Sequence, residues 1–234
     1  MSATLHSLDV LLFPELVDGG YAALAQGAAP HRSSDPYLAG FQSASNSYSF
    51  TCVAGSVAFE HSKGRRTNTS FVFRDGKTVA RYDKVHLFEP TGDHLYFVRG
   101  KNASSFHLGN HKVRAGVIIC YDIRFPELVR GLALQGIQVL FVPARWPLKR
   151  DDAWRTLLKA RAIENQIFVV GCNARGKEGG YSYAFDPLGK LVFSNRRRPH
   201  SSLSTFVLDL NVISIAKQAH DNLREAVLLR GRTR

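Results

Sequence analysis

The sequence predicts an α/β fold in which helices cover β-sheets, and three observations support that prediction. Ten short runs of apolar or alternating residues are typical of strands, whereas only two segments show a clear helical period. The chain has 234 residues, 44% of them hydrophobic, which is enough to bury a large core. Many strands with few helices favour layered sheets over a barrel of regular βα units. We therefore expect one domain over residues 1–234.

The predicted strands occupy runs that are rich in β-branched and aromatic residues. They are residues 8–13, 51–59, 69–74, 78–83, 112–120, 139–143, 167–173, 181–186, 190–193 and 205–210. Asp75-Gly76 stands between two of these runs, which is a strong hairpin signal. Pro187 and Gly189 mark a similar turn between the runs at 181–186 and 190–193.

The two predicted helices have recognisable starts. Residues 125–135 carry Pro126 at an early position and end before Gly136, which is the usual asymmetry of helix start and stop. Residues 151–165 begin with two aspartates, which suit the positive end of the helix dipole, and repeat apolar residues at helical spacing.

The chain is strongly basic, with 31 Lys and Arg against 19 Asp and Glu and a net charge of +12. Part of this excess lies in short clusters at 63–66, 196–198 and 230–234, which look like a loop, a turn and a tail. No basic helical face or nucleic-acid-binding motif accompanies them, so solvated loops are favoured over a nucleic-acid partner. An anionic small molecule would be attracted in either case.

Other class signals point to a reduced, cytoplasmic protein. No run approaches the roughly 18 apolar residues of a membrane helix, and the first ten residues do not resemble a secretory signal. The three cysteines, Cys52, Cys120 and Cys172, show neither paired spacing nor a neighbouring histidine cluster. We therefore expect free thiols, without a disulfide framework or a metal site.

Cys120 ends an apolar run that gives way at once to a charged turn. The run at 116–120 predicts a strand and residues 125–135 predict a helix, so the thiol is expected on a tight turn at a strand's carboxyl end. A cysteine that only fills a core would be expected further back in the run. Because α/β sheets place ligands at strand ends, and turn amides can face a developing negative charge, this position favours a nucleophile.

A cysteine is mostly protonated near neutral pH, so its attack on a carbonyl needs a base and a cation. Glu15 stands where the apolar run 11–13 leaves the core through Pro14. Lys84 follows the strand at 78–83 and has apolar residues on both sides. Each residue alone is more often structural, but both complement Cys120.

Three motifs stand in order: FPEL at 13–16, YDKVHLF at 82–88 and ICYDIRFPEL at 119–128. Together with the segments at 144–176 and 181–191 they resemble the nitrilase superfamily of carbon-nitrogen hydrolases. The resemblance is greatest to the omega-amidase branch, which hydrolyses the side-chain amide of 2-oxo acids. It implies a four-layer α-β-β-α sandwich, a small-molecule amide substrate, no cofactor, and a homodimer paired through helices beside the cysteine.

The resemblance also implies a mechanism. Cys120 attacks the amide carbon and forms a thioester, and Glu15 acts as the general base. Lys84 and the backbone N–H of Tyr121 hold the oxyanion. A Cys120–His86 dyad is a weaker alternative, since the other motifs argue against it.

The family commonly has a second glutamate after the lysine motif, and Asp93 occupies the matching position here. The side chain of Asp93 is one methylene shorter than glutamate. We therefore expect its contact with Lys84 to be displaced by about 1 Å and the catalytic rate to be reduced. Glu89 lies close in sequence and is the alternative.

Two arginines are candidate partners for a substrate carboxylate, because a guanidinium pairs with a carboxylate through two hydrogen bonds. Arg124 follows Cys120 by four positions and Arg145 precedes Trp146 in a loop expected at the mouth of the site. Arg124 has an alternative structural partner in Glu127. Trp146 is expected either to wall the site or simply to pack.

The chain departs from the family pattern at both ends. Family members normally have a strand and most of a helix before the FPE motif, so we expect an altered sheet edge. Residues 215–234 read as a helix followed by a basic tail at 220–234. Other readings remain: an amidase for deaminated glutathione or N-carbamoyl compounds, less readily a true nitrilase, or an idle homologue that serves as a binding or scaffold protein.

Overall fold

The computed structural model describes residues 5–103, 105–109, 113–197 and 203–226. Its helices are α1 (Gly20–Ala25), α2 (Pro36–Tyr48), α3 (Asp93–Tyr96), α4 (Pro126–Leu134), α5 (Asp151–Asn165) and α6 (Asn211–Ala219). Its strands are β1 (Val10–Leu12), β2 (Thr51–Val53), β3 (Val57–Glu60), β4 (Arg66–Arg74), β5 (Lys77–Asp83), β6 (Ser105–Leu108), β7 (Val113–Val117), β8 (Val139–Ala144), β9 (Phe168–Asn173), β10 (Tyr183–Phe185) and β11 (Leu191–Ser194). Short 3₁₀ turns cover Ser62–Gly64, Glu89–Thr91, Cys120–Arg124 and Leu148–Arg150.

The first sheet is built around the long strand β4. Strands β2 and β3 pair antiparallel with its one edge, β5 pairs with its other edge, and β1 lies parallel to β2. The β4–β5 hairpin turns at Asp75-Gly76 as predicted. Both residues have positive φ, 50° and 69°, which is the backbone that a two-residue hairpin of this kind requires.

The second sheet has the order β11-β10-β9-β8-β7-β6. Its central strands β7, β8 and β9 run parallel, and the outer strands pair antiparallel. Every residue of β8 is buried, as expected for a parallel strand covered on both faces. Because β7, β8 and β9 are parallel, the loops that follow them all leave the sheet at the carboxyl ends of these strands.

Helices cover the two sheets, and one apolar core joins them. Val53 and Val72 of the first sheet belong to the same buried cluster as most of the second sheet. Helix α2 packs on β2 and β4, and α5 packs on β9 and β10 with α4 beside it. Trp154 and Leu158 of α5 are fully buried, and each contributes about 1.5–3 kcal/mol by leaving water.

The predicted strand at 51–59 is two strands. Between them Gly55 has φ +63° and a side chain there would collide with the carbonyl oxygen of Pro14. Ser56 accepts the backbone N–H of Leu16 on its hydroxyl at 3.0 Å. The interruption therefore holds the loop that follows β1, and an apolar pattern alone could not reveal it.

The predicted strand at 205–210 is wrong, because this segment has no ladder partner among the described residues. Leu208 and Leu210 pack against the core nonetheless, so the alternating pattern reports burial rather than pairing. The predicted strand at 112–120 begins at a residue outside the described ranges and ends at Val117. The C-terminal helix is α6, and most of the basic tail, 227–234, lies outside the described residues.

The sequence patterns did not predict four of the elements, namely α1, α2, α3 and β6. Helix α2 begins well, with Asp35 accepting the N–H of Tyr37 at 2.8 Å and Pro36 in first position. Its later turns are rich in Ser and Asn, which have modest helix propensity, so packing on the first sheet decides its structure. No helix in the described ranges is both long and apolar enough to span a membrane.

Candidate active site

Loops from both sheets bring the three predicted catalytic residues together. Glu15 follows β1, Lys84 follows β5 directly, and Cys120 follows β7. Lys84 Nζ lies 2.7 Å from Glu15 Oε1. Burial raises the pKa of the Cys120 thiol well above 9.0, the Glu15 carboxylate raises it further, and Lys84 opposes the rise. Cys120 therefore lies within the electrostatic reach of both charged groups and is a thiol at neutral pH.

The turn that presents Cys120 is strained. Cys120 opens the 3₁₀ turn Cys120–Arg124 with φ +46°, in the left-handed region that non-glycine residues avoid. Leu16, beside the predicted base, has φ +44°. Each such residue costs about 1–3 kcal/mol, so neighbouring contacts must hold both turns in place.

Asp122 supplies one set of those contacts. Its fully buried carboxylate accepts the N–H of Ile119 at 3.0 Å, the N–H of His86 at 2.8 Å and the hydroxyl of Tyr82 at 2.7 Å. It therefore ties the turn of Cys120 to the chain on either side of the predicted lysine. Sequence reasoning missed this role, although Asp122 lies within the third motif.

His86 belongs to the same network. Its Nδ1 lies 2.8 Å from Asp122 Oδ1, and its ring stacks on Phe125 with centroids 3.5 Å apart. The imidazole thus has its partners in Asp122 and Phe125, which argues against the alternative dyad with Cys120.

Lys84 is held between two carboxylates. Its Nζ lies 2.7 Å from Glu15 Oε1 and 2.7 Å from Asp93 Oδ2, and all three side chains are at most 1% exposed. Burial alone lowers the pKa of Lys84, but Glu15, Tyr21 and Asp93 outweigh it and raise the pKa well above 10.5. The side chain is therefore an ammonium ion at any ordinary pH.

Asp93 reaches Lys84 despite its shorter side chain, so the displacement expected from the sequence does not occur. Helix α3 begins at Asp93. The Asp93 carboxylate also accepts the N–H of Phe88 at 2.8 Å and the hydroxyl of Tyr21 at 2.6 Å. Glu89, the sequence alternative, is exposed.

The Glu15 carboxylate receives donors on both oxygens. Oε1 accepts Lys84 Nζ and the amide of Asn68, the latter at 2.9 Å, and Oε2 accepts the N–H of Arg145 at 2.9 Å. The Tyr21 hydroxyl lies 3.2 Å from Oε1, but its single hydrogen points to the shorter contact with Asp93. Asn68 and Tyr21 were missed by sequence reasoning, since neither stands in a motif.

The guanidinium of Arg145 is occupied by protein groups. It donates to the carbonyl of Glu15 at 2.8 Å and of Leu16 at 2.7 Å, and it pairs with Glu178 at 3.0 Å. The structure thus places Arg145 in the wall of the site with its donors turned to the loop of Glu15.

A small open cleft of about 260 Å³ leads to Cys120. Its lining is aromatic and cationic and consists of Phe88, Cys120, Tyr121, Arg124, Arg145, Trp146, Pro147 and Arg150. Trp146 both walls the cleft and packs on Trp154, with ring centroids 5.3 Å apart.

Two guanidinium groups flank the mouth of the cleft. Arg124 lies over the Trp146 ring at 5.0 Å, and Arg150 lies over the Phe88 ring at 5.4 Å. Within the described part of the chain no carboxylate is within ion-pair distance of Arg124, so the alternative pairing with Glu127 is not seen. Arg150 was missed by sequence reasoning.

Comparison with known proteins shows the family of this chain. The family model described as carbon-nitrogen hydrolase matches residues 1–218. This chain belongs to the carbon-nitrogen hydrolase family. The 2-oxoglutaramate amidase of Bacillus subtilis (strain 168) is 38% identical over 197 residues, which cover 81% of this chain and 74% of the relative. The omega-amidase YafV of Escherichia coli (strain K12) is 32% identical over 190 residues, covering 79% and 71%.

Solved structures show the same fold. The CN-hydrolase superfamily protein XC1258 from Xanthomonas campestris superposes with a TM-score of 0.81, covering 97% of this chain and 89% of its own, at 23% identity. The two mixed sheets with flanking helices are thus the α/β fold of the nitrilase superfamily. The predicted membership is confirmed, and the protein is an amidase of this family whose relatives include omega-amidases.

Proposed function

We propose that this hydrolase is an omega-amidase-like enzyme that releases ammonia from small carboxylate-bearing amides, with amides of 2-oxo acids as its substrate class. The observation that supports this most directly is the buried Glu15–Lys84–Asp93 cluster beside Cys120, at the end of a cleft flanked by arginines. The similarity to a 2-oxoglutaramate amidase supports the same class.

The first half-reaction begins with a protonated thiol, because the pKa of Cys120 is raised. Glu15 takes the thiol proton as the sulfur attacks the amide carbon, and the carbonyl π electrons move to oxygen. Lys84 and the backbone N–H of Tyr121 hold that oxyanion. When it collapses, the C–N bond breaks, Glu15 returns the proton to nitrogen, and ammonia leaves a thioester on Cys120.

Water completes the cycle. Glu15 removes a proton from a water molecule that attacks the thioester carbon, and the C–S bond then breaks. The proton returns to sulfur and the carboxylic acid product leaves. Asp93 and Tyr21 take no proton in either half-reaction; they keep the Lys84 ammonium fixed where the oxyanion forms.

The mouth of the cleft suits a substrate carboxylate. Arg124 is exposed and stacked on Trp146, so its donors are available, whereas the donors of Arg145 are engaged by the protein. We therefore assign the carboxylate first to Arg124, with Arg150 contributing positive charge and Arg145 forming the wall. A site of this kind attracts anionic substrates from a distance.

Ammonia release from a panel of purified substrates tests the proposal. The panel contains 2-oxoglutaramate, an asparagine-type amide, an amide of deaminated-glutathione type, an N-carbamoyl amino acid and an aliphatic nitrile, with Cys120→Ala as control. We expect the highest kcat/KM for 2-oxoglutaramate and none for the control. Preference for the deaminated-glutathione or carbamoyl compound would overturn the substrate class, and no release from any of the five would favour the idle homologue.

The predicted homodimer remains a proposal. Sedimentation equilibrium should give twice the chain mass of 26.0 kDa, and a monomer at every concentration would contradict it.

A further inference from the structure

We propose that Glu178 is a positioning residue. It acts through Arg145 to keep the proposed base Glu15 and helix α1, which carries Tyr21, in fixed positions relative to each other. This inference rests on the proposed function, because it assigns a role to Glu15 in catalysis. Glu178 lies in the loop between β9 and β10 and appears in none of the motifs. It comes from a part of the chain more than 150 positions away from the helix that it contacts.

Glu178 accepts hydrogen bonds from the first backbone amides of helix α1. Its Oε1 accepts the N–H of Ala22 at 3.1 Å, and its Oε2 accepts the N–H of Tyr21 at 3.3 Å. The first amides of a helix have no partner within the helix, and the residue before α1, Gly19, has no side chain to supply one. A carboxylate from another loop thus takes the place of the usual cap.

The same carboxylate orients Arg145. Glu178 Oε2 lies 3.0 Å from Arg145 Nη1, and the remaining guanidinium donors reach the carbonyls of Glu15 and Leu16. The backbone N–H of Arg145 donates to Glu15 Oε2 at 2.9 Å. Arg145 therefore fixes both the peptide and the carboxylate of the predicted base, and Glu178 fixes Arg145.

The turn between Glu15 and α1 needs such support. Leu16 has φ +44°, which is a strained conformation for a residue with a side chain. Gly20 has φ +75°, and a Cβ atom there would lie 2.5 Å from both Arg145 Cζ and Glu178 Oε2. The ion pair is thus packed directly against the turn, so its loss would let the turn relax.

Relaxation of this turn would move the base and the Tyr21 hydroxyl together. Tyr21 donates to Asp93, which holds Lys84, so displacement of α1 would also reach the oxyanion-binding group. A displacement of about 1 Å costs up to about a hundredfold in rate. Among the described residues Glu178 forms hydrogen bonds or ion pairs with Tyr21, Ala22 and Arg145, and of these only Arg145 lines the cleft, so the effect should fall on kcat rather than on substrate binding.

The test compares Glu178→Ala and Glu178→Gln with Glu60→Ala. Glu60 also pairs with arginines, at 3.3 Å from Arg66, but lies away from the cleft and serves as the matched control. We expect Glu178→Ala to lower kcat by about 10- to 100-fold with KM changed less than about threefold. Glu178→Gln keeps one acceptor and the length, so it should recover part of kcat, and the control should match the wild type.

A second measurement does not depend on the substrate. Glu15 raises the pKa of Cys120, so displacement of Glu15 should speed alkylation of that thiol by iodoacetamide, to a rate between those of the wild type and Glu15→Gln. An unchanged alkylation rate, a kcat within twofold of the wild type, or an effect on KM alone would each overturn the role of Glu178. Absence of turnover in the wild type would overturn only the proposed function, because alkylation still tests the positioning.

Discussion

Replacing Glu15 by glutamine separates two effects of its carboxylate on Cys120. In the proposed mechanism Glu15 is the general base, so its removal should lower kcat. As a buried negative charge, it raises the pKa of the thiol, so its removal should increase the thiolate fraction. The variant Glu15→Gln is therefore expected to lose amidase activity while Cys120 becomes more reactive towards iodoacetamide. Few structural defects would produce this pair of opposite changes.

The sizes of the two changes can be estimated separately. A positioned general base contributes about 10²- to 10⁴-fold, which corresponds to roughly 3–5 kcal/mol of activation free energy. Alkylation should respond less steeply, because a thiolate of lower pKa is also a weaker nucleophile. With a Brønsted coefficient of about 0.4–0.5, each tenfold gain in thiolate fraction gives only about a threefold gain in rate.

The substitution also has a structural cost that the geometry defines. Both Glu15 oxygens accept donors: Lys84 and Asn68 on Oε1, and the N–H of Arg145 on Oε2. A glutamine must turn its NH₂ group towards one of these donors, which leaves that donor unpaired. One buried unpaired group costs about 1–3 kcal/mol, which for a chain of this length lowers Tm by roughly 2–12 °C.

Three measurements on one preparation check the prediction. Ammonia release gives kcat, pseudo-first-order alkylation at about pH 8 gives thiol reactivity, and calorimetry gives Tm. Cys120→Ala shows how much alkylation occurs at Cys52 and Cys172. Turnover within fivefold of the wild type would refute Glu15 as the base. Slower alkylation in a protein whose Tm lies within the expected range would refute its electrostatic effect on the thiol.

Three further predictions concern other groups. Asp93→Glu inserts a methylene into a fully buried site, so we expect about 1–3 kcal/mol less stability and up to about a hundredfold lower kcat; unchanged kinetics and calorimetry would contradict this. Arg124→Gln should raise KM about tenfold for carboxylate-bearing amides but not for an uncharged amide of similar size, and an equal effect on both would remove its assignment. Burial raises the pKa of Cys52 and of Cys172 from 9.0 to about 12. The unfolded thiols therefore ionise first, and the free energy of unfolding should fall between about pH 9 and 12 by about 1.4 kcal/mol per pH unit for each cysteine. Cys172→Ser should flatten this slope in denaturant titrations, and an unchanged slope would contradict the assignment.

The sequence predicted those residues of the candidate site that stand at strand ends inside local motifs. Glu15 and Cys120 each stand at the end of an apolar run, so burial of that run fixes where they lie. Lys84 directly follows β5, whose residues are mostly exposed, so its motif rather than strand burial singled it out. Asp93 was predicted from its distance to the lysine motif. Its contact with Lys84 could not be foreseen from the length of its side chain, because the contact also depends on where helix α3 begins.

The residues that were missed act across long sequence separations. Tyr21 reaches Asp93 over 72 positions, and Asn68 reaches Glu15 over 53. Neither residue stands out in sequence: Tyr21 lies in a helix of six residues after a strained turn, and Asn68 lies within a strand of nine. Only the packing of the elements shows that their polar atoms face the site.

The charge balance of the site favours a mechanism in which the thiol is activated only when the substrate is attacked. Glu15 and Asp93 together carry two negative charges against the single positive charge of Lys84, in a place that water does not reach. A resting thiolate would add another negative charge, which is costly in a medium of low dielectric constant. In the proposed mechanism the charge does not stay on sulfur during attack, because the proton passes to Glu15 as the electrons pass to the oxyanion beside Lys84. On this proposal the cluster gains its full stabilisation only in the transition state, which is the condition for raising kcat rather than merely tightening binding.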